Sequence, residues 1–165
     1  MDKVSTERIQ GAHPAIRLEL SLIQQEIDSR LTGRAHLRYT YVLRTFQEQD
    51  DLYALGRTKP GNKVTNARGG QSWHNYGLAV DVCLIIDEKE ASWDTEKDFD
   101  NDGYSDWSEI VYVFKMYGWE WGGDWKSFKD KPHFQKTFGL TIAEAFHRYT
   151  EKKLIPEGNY IRLGQ

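Results

Sequence analysis

The chain has little cysteine and no long apolar run. Its 165 residues include one cysteine, Cys83, which excludes an internal disulfide and a cysteine-rich zinc finger. No stretch approaches the ~20 apolar residues that a membrane-spanning helix needs, so we expect no membrane association. The N-terminus lacks the apolar segment of a secretory signal peptide. We therefore expect either a protein that stays in its cell, export by a route that needs no signal, or prior removal of a signal.

The overall charge and composition indicate a folded domain that does not bind nucleic acid. The formal net charge is −3, whereas bulk binding to nucleic acid requires a basic surface. Hydrophobic residues make up 39% of the chain and charged residues 28%, which is typical of a folded globule. The length fits one domain with a sizeable core.

The apolar spacing predicts a mixture of helices and strands. Regular βαβ alternation is absent from the pattern, which favours an α+β fold with a small antiparallel sheet flanked by helices. We predict helices at 14–31, 46–55, 107–117 and 141–149. We predict strands at 37–43, 78–86 and 119–121, and an extended segment at 133–136.

A basic loop is predicted at residues 57–70. It contains four basic residues and no acid, and Pro60-Gly61 and Gly69-Gly70 mark it as a loop. The four basic residues are Arg57, Lys59, Lys63 and Arg68. Two interpretations remain open: a solvated loop, or a loop that contacts an anionic substrate.

Two segments carry candidate metal ligands. In residues 72–81, His74 precedes Gly77, and Asp81 interrupts an apolar strand. An ionised carboxylate in a buried strand is costly unless something pairs with it, and a metal ion is the strongest such partner. Gly77 permits a tight bend that brings His74 toward Asp81. The second segment, residues 130–133, supplies Asp130 and His133.

Two histidines and one carboxylate form the ligand set of a catalytic zinc site with one open position. Zinc lowers the pKa of a bound water and polarises a scissile carbonyl. A free carboxylate must then act as general base, and Asp130 is the candidate. Spacing alone leaves open the simpler interpretation that these histidines only lie near acids.

The segment Ser72-x-His74-x-x-Gly77-x-Ala79-x-Asp81 resembles the signature of the D-alanyl-D-alanine metallopeptidases. The downstream Trp121-Gly-Gly-Asp-Trp and Asp130-Lys-Pro-His-Phe sequences resemble the branch that contains L-alanyl-D-glutamate endopeptidases. That branch includes phage endolysins and bacterial cell-wall hydrolases. The similarity runs from about residue 14 to residue 140.

The resemblance implies a role for seven residues. His74, Asp81 and His133 would be the zinc ligands and Asp130 the catalytic acid and base. Arg44 would stabilise the oxyanion, since a fixed cation aimed at developing charge is a large catalytic contribution. Ser72 and Gln49 are expected to bind substrate.

A second metal site is predicted in an acidic segment. Residues 87–109 contain ten acids and two lysines, a net charge of −8. Within it, residues 98–109 match the EF-hand calcium loop, with glycine at position 6. The expected calcium ligands are Asp98, Asp100, Asp102, the Tyr104 carbonyl, Asp106 and Glu109. An acidic, solvated loop is the alternative.

We therefore predict one zinc peptidase domain spanning residues 1–165, with a core at about 14–140 and an EF-hand-like insertion at 98–109. The zinc cleft should lie at the sheet. The leading hypothesis is a monomeric L-alanyl-D-glutamate endopeptidase that stays cytoplasmic until it is released to the cell wall, where it cuts peptidoglycan stem peptides. The alternatives are a D-alanyl-D-alanine carboxypeptidase or dipeptidase, a non-catalytic zinc-binding domain, and a calcium-dependent wall-binding module.

Overall fold

The structure is a computed structural model that describes residues 2–164. Its α-helices are α1 (Lys3–Gln10), α2 (Pro14–Arg30), α3 (Phe46–Ala54), α4 (Asp106–Met116) and α5 (Ile142–Thr150). Its strands are β1 (Ala35–Tyr41), β2 (Ala79–Ile86), β3 (Glu90–Ser92), β4 (Glu120–Trp121) and β5 (His133–Gln135). Short 3-10 turns occur at Trp73–Tyr76 and Gly122–Asp124.

Strand β2 is the centre of an antiparallel five-stranded sheet. One edge of β2 pairs with β1 along its length. The other edge pairs with β5 near the start of β2 and with β3 near its end. Strand β4 extends the sheet beyond β5, which gives the order β1-β2-β5-β4. The predicted α+β class with a small antiparallel sheet is confirmed.

The main core lies between one face of the sheet and helices α2 and α4. The buried residues of α2 recur at helical spacing, and alternate residues of β2 point toward them. Phe114 of α4 stacks on Phe134 of β5 with ring centroids 4.1 Å apart. The core also includes Ile9 and Ile161, which lie on either side of the predicted 14–140 segment. Cys83 is buried and unpaired, as predicted.

Helix α1 was not predicted from the sequence. Asp2 caps it by accepting a hydrogen bond from the Ser5 backbone N–H at 3.0 Å, and also accepts two from the Arg38 guanidinium of β1. Burial alone would raise the pKa of Asp2, but these hydrogen bonds lower it well below its usual value. The cap therefore attaches α1 to the sheet. Within residues 2–164, none of the helices combines the length and apolarity needed to cross a membrane.

Candidate metal centre and catalytic cleft

Two of the three predicted ligands are paired residues of the sheet. Asp81 of β2 is directly opposite His133 of β5 in the antiparallel register. Directly opposed residues point to the same face of a sheet. Because Val80 and Phe134 point into the main core, Asp81 and His133 lie on the other face, where the cleft is.

The third predicted ligand, His74, lies on the 3-10 turn that leads into β2. The Ser72 hydroxyl caps this turn by accepting from the His74 backbone N–H, and Gly77 ends it with a φ of 67°. A Cβ at Gly77 would lie 2.6 Å from the His13 backbone nitrogen. Only glycine fits both the positive φ and this close approach, which confirms the predicted tight bend.

The side chains of His74, Asp81 and His133 converge. His74 Nε2 and His133 Nδ1 each lie 3.3 Å from Asp81 Oδ1. Within residues 2–164, no fourth histidine, cysteine or acid joins this group. The fold therefore brings together three side chains that lie far apart in the sequence.

Each of the two imidazole rings forms a hydrogen bond on the side that faces away from Asp81. This bond determines which ring nitrogen carries the proton and which faces Asp81. His74 Nδ1–H donates to the Val42 carbonyl at 2.8 Å, which leaves the Nε2 lone pair facing Asp81. His133 Nε2–H donates to Gln135 Oε1 at 2.8 Å, and the Gln135 amide in turn donates to Glu120. Such outer partners are a general feature of histidine metal ligands.

The resulting donor set fits a divalent metal. When both rings are neutral, these tautomers make all three inner atoms acceptors, so that a metal ion can replace the protons that would otherwise lie between them. Ligands about 2.0–2.1 Å from a tetrahedral ion are about 3.3–3.4 Å apart, and each histidine nitrogen lies 3.3 Å from Asp81 Oδ1. The structure thus contains a possible His/Asp metal site.

The electrostatic surroundings of Asp81 favour the ionised form of its carboxylate. Burial alone would raise the pKa of Asp81, but His133 and His74 lower it well below its usual value. His133 shows the complementary effect: burial would lower its pKa, but Asp81 raises it. Asp81 is thus available as an anionic ligand across the physiological pH range.

The turn at Gly122 positions Asp130 beside the three predicted metal ligands. The Asp130 backbone N–H donates to the Gly122 carbonyl at 3.0 Å, and its own carbonyl accepts from the His133 N–H at 3.1 Å. A Cβ at Gly122 would lie 2.3 Å from the Asp130 carbonyl oxygen. Desolvation and the nearby Asp81 carboxylate raise the pKa of Asp130. A raised pKa suits a group that must both accept and donate a proton.

Arg44 also lines the cleft. Its backbone N–H donates to the His74 carbonyl at 3.0 Å, and its guanidinium lies over the Tyr41 ring, 4.6 Å from the centroid. One guanidinium N–H donates to Gln49 Oε1 at 2.9 Å. Gln49 is fully buried, and its amide donates to the Ala67 carbonyl. This position favours a role for Gln49 in orienting Arg44; direct substrate binding by Gln49 stays a prediction.

These side chains line one open cleft of about 610 Å³. Its walls include Arg44, Ser72, His74, Asp81, Asp130 and His133. A second cleft of about 690 Å³ continues from it along the predicted basic loop and includes Lys63. Trp125, the last residue of the Trp121-Gly-Gly-Asp-Trp segment, had no predicted role; it lines both clefts, and its ring centroid lies 5.2 Å from that of His133.

The predicted calcium residues form a separate cluster. Asp98, Asp100 and Asp106 offer carboxylate oxygens within 4.8 Å of one another, and so do Asp100, Asp102 and Glu109. They surround the loop before α4 and do not line the catalytic cleft.

Comparison with known proteins places this fold and site. A family model described as D-alanyl-D-alanine carboxypeptidase matches residues 65–136. The peptidoglycan L-alanyl-D-glutamate endopeptidase CwlK of Bacillus subtilis is 48% identical over 118 residues, which cover 69% of this chain and 71% of CwlK.

Two solved structures share the fold. The L-Ala D-Glu endopeptidase ChiX of Serratia marcescens has a TM-score of 0.52 and 26% identity, covering 84% of this chain and 90% of ChiX. The vancomycin resistance D,D-dipeptidase VanXYg has a TM-score of 0.51 and 20% identity, covering 90% of this chain and 62% of that one. At this identity the likeness to VanXYg concerns the fold alone.

An antiparallel sheet that presents two histidines and an aspartate to an open cleft is typical of metal-dependent hydrolases. The chain belongs to the D-alanyl-D-alanine metallopeptidase family, and it is a peptidase.

Proposed function

We propose that this chain is a zinc-dependent peptidoglycan hydrolase that cuts the L-alanyl-D-glutamate bond of cell-wall stem peptides. The main support is the convergence of two imidazole nitrogens, each 3.3 Å from Asp81 Oδ1, in an open cleft with Asp130 and Arg44 on its walls. The choice of bond is supported by the likeness to CwlK and ChiX, whose names give that activity. The place of action is accordingly the bacterial cell wall.

Zinc is the metal that the donor set favours. Two imidazole nitrogens and one carboxylate oxygen are its usual ligands in hydrolytic sites, and the fourth position is left for water. His74, Asp81 and His133 would hold the ion. When bound, it supplies an activated water and polarises the scissile carbonyl.

Asp130 and Arg44 supply the remaining chemistry. Asp130 accepts the proton of the attacking water and then delivers it to the amine of the leaving group. The raised pKa of Asp130 makes its carboxylate a stronger base for the first of these two transfers. Arg44, held by Gln49 and Tyr41, donates to the carbonyl oxygen as negative charge develops on it. Because these contacts orient the guanidinium before substrate binds, little reorganisation is needed during reaction.

The shape and charge of the cleft suit an anionic peptide. A stem peptide carries free carboxylates, one of them on its D-glutamate residue, and the adjoining cleft is lined by Lys63 of the basic loop. Ser72 lines the catalytic cleft, which supports a role in hydrogen-bonding the substrate backbone. This arrangement favours the substrate-contacting interpretation of the basic loop.

Digestion of purified peptidoglycan, followed by mass spectrometry, tests the proposal. We expect products with a new C-terminal L-alanine and a new N-terminal D-glutamate. Release of free D-alanine would instead establish the carboxypeptidase alternative, which the description of the matching family favours. The Asp130→Asn variant should retain zinc and lose hydrolysis. A wild-type protein that carries zinc but cuts no stem peptide would refute the proposal in favour of a non-catalytic binding domain.

A further inference from the structure

The loop at residues 98–109 folds so that its carboxylates point inward. Gly103 turns the chain with a φ of 95°, and its N–H donates to Asp98 Oδ2 at 2.8 Å. Asp100 is common to both carboxylate groups of the loop, so the five acids form one continuous cluster. Such a cluster alone does not establish a cation site, since exposed acids are often simply hydrated.

The buried side chain of Asp106 provides the second observation. Asp106 is 0% exposed, and its Oδ1 accepts a hydrogen bond from the Phe99 N–H at 3.0 Å. Its Oδ2 is buried and has no hydrogen-bond partner, and the same is true of Glu109 Oε2. Asp106 faces the cluster, because its carboxylate lies within 4.8 Å of those of Asp98 and Asp100. A buried, unpartnered carboxylate oxygen is costly and calls for a cation or a donor.

The five loop carboxylates form no ion pair within the described part of the chain, although Arg30 lines a surface cleft beside Asp102 and Glu109. Without a cation, the loop is therefore destabilised by repulsion among its own charges.

We propose that this loop binds one calcium ion through Asp98, Asp100, Asp102, the Tyr104 carbonyl, Asp106 and Glu109. Every donor in the set is an oxygen, which favours a hard cation over zinc. Calcium accepts six to eight oxygens in flexible geometry, whereas magnesium demands a near-ideal octahedron and retains its waters. The spacing of the donors also matches the EF-hand loop position by position.

The bound ion would stabilise the part of the core that adjoins the catalytic cleft. The Thr32 hydroxyl, just beyond α2, donates to Asp100 at 3.1 Å, so the loop is attached to the end of that helix. The loop also begins α4, whose Phe114 stacks on Phe134, the neighbour of His133. Calcium would therefore hold α4 against β5 without touching the zinc ligands.

Calorimetry and thermal unfolding of the zinc-loaded full chain test this inference. We expect one calcium per chain, with a Kd between about 1 µM and 1 mM. At 100 times that Kd, the melting temperature should rise by about 5–10 °C, and magnesium at the same concentration should do much less. Zinc content is measured in every sample, so failure of the proposed peptidase activity would not affect this result.

The Glu109→Gln variant should distinguish the effect of removing a negative charge from the effect of removing a calcium ligand. It should bind calcium at least about tenfold more weakly, while its melting temperature without calcium should equal or exceed that of the wild type because one repulsive charge is gone. Asp102→Asn, at an exposed position, provides the same test if Glu109→Gln fails to fold. Glu90→Gln on β3 removes an equal charge outside the loop and should leave calcium binding unchanged.

Two outcomes would overturn the inference. One is the absence of both binding heat and thermal stabilisation when calcium is added to the wild type. The other is equal stabilisation by calcium and magnesium, which would indicate general screening of an acidic, hydrated loop.

Discussion

Replacing Gln135 by leucine should weaken zinc binding without altering the ligands themselves. Gln135 Oε1 accepts the Nε2–H of His133 at 2.8 Å and so keeps the Nδ1 lone pair directed at Asp81. Leucine fills similar space but cannot accept this proton. A buried N–H left without a partner costs about 1–3 kcal/mol, and loss of such an outer partner typically costs about 10–100-fold in metal affinity. We therefore expect a zinc Kd that is higher by about 10–100-fold, or about 1.4–2.7 kcal/mol.

Competition with a chromophoric chelator measures this affinity directly. Glu120→Gln is the matched control, because it changes the next group outward and leaves Gln135 Oε1 in place; its zinc affinity should stay within about threefold of the wild type. At saturating zinc, the Gln135→Leu variant should recover most of its activity. A Gln135→Leu protein that binds zinc as tightly as the wild type would show that the sheet alone orients His133.

Three further predictions concern the turns and the helix cap. Gly77→Ala should lower the free energy of unfolding by at least about 2 kcal/mol in urea titrations, because of the positive φ and the approach to His13. Gly122→Ala should displace Asp130 and lower kcat/KM by about 100-fold while zinc content, measured by atomic emission, stays unchanged. Asp2→Asn should cost about 1–2 kcal/mol in urea titrations at neutral pH. Because folding lowers the pKa of Asp2, its stabilisation is present above the ordinary carboxyl pKa and is lost as the pH falls, so the difference between variant and wild type should shrink in acid.

The predictable parts of the fold are those with strong local signals. The side chain of Thr141 and that of Glu144 form a reciprocal cap at the start of α5, and the apolar run of β2 is long enough to indicate a buried strand. Helix α1 has eight residues and few apolar ones, so its pattern is weak. Strand β3 has three residues and is largely exposed. It forms because the end of β2 offers a free edge, which is a tertiary cause with no local signature.

The residue types of the site could be predicted from the sequence, but the sheet register and most of the groups that orient these residues could not. The pairing of Asp81 with His133 depends on a sheet register that connects residues 52 positions apart, and local patterns do not determine such a register. The carbonyl of Val42, which orients His74, carries no sequence signal because every residue has one. Gln135 did have a signal: it follows His133 by two positions in an extended segment, so the two side chains share a face of the strand.

The predicted metal ligands and the predicted catalytic residues come from different parts of the fold. The sequence can therefore vary catalysis without varying metal affinity. Asp81 and His133 come from adjacent strands, and the Val42 carbonyl that holds His74 lies just past the end of β1. The metal geometry therefore follows the hydrogen-bond spacing of the sheet and is as rigid as the core beneath it. Asp130 and Arg44 instead lie on connecting segments, where backbone hydrogen bonds to Gly122 and to His74 respectively help to position them. Substitutions in the turns should consequently change catalysis before they change metal affinity, whereas substitutions that shift the register of β5 should abolish both together.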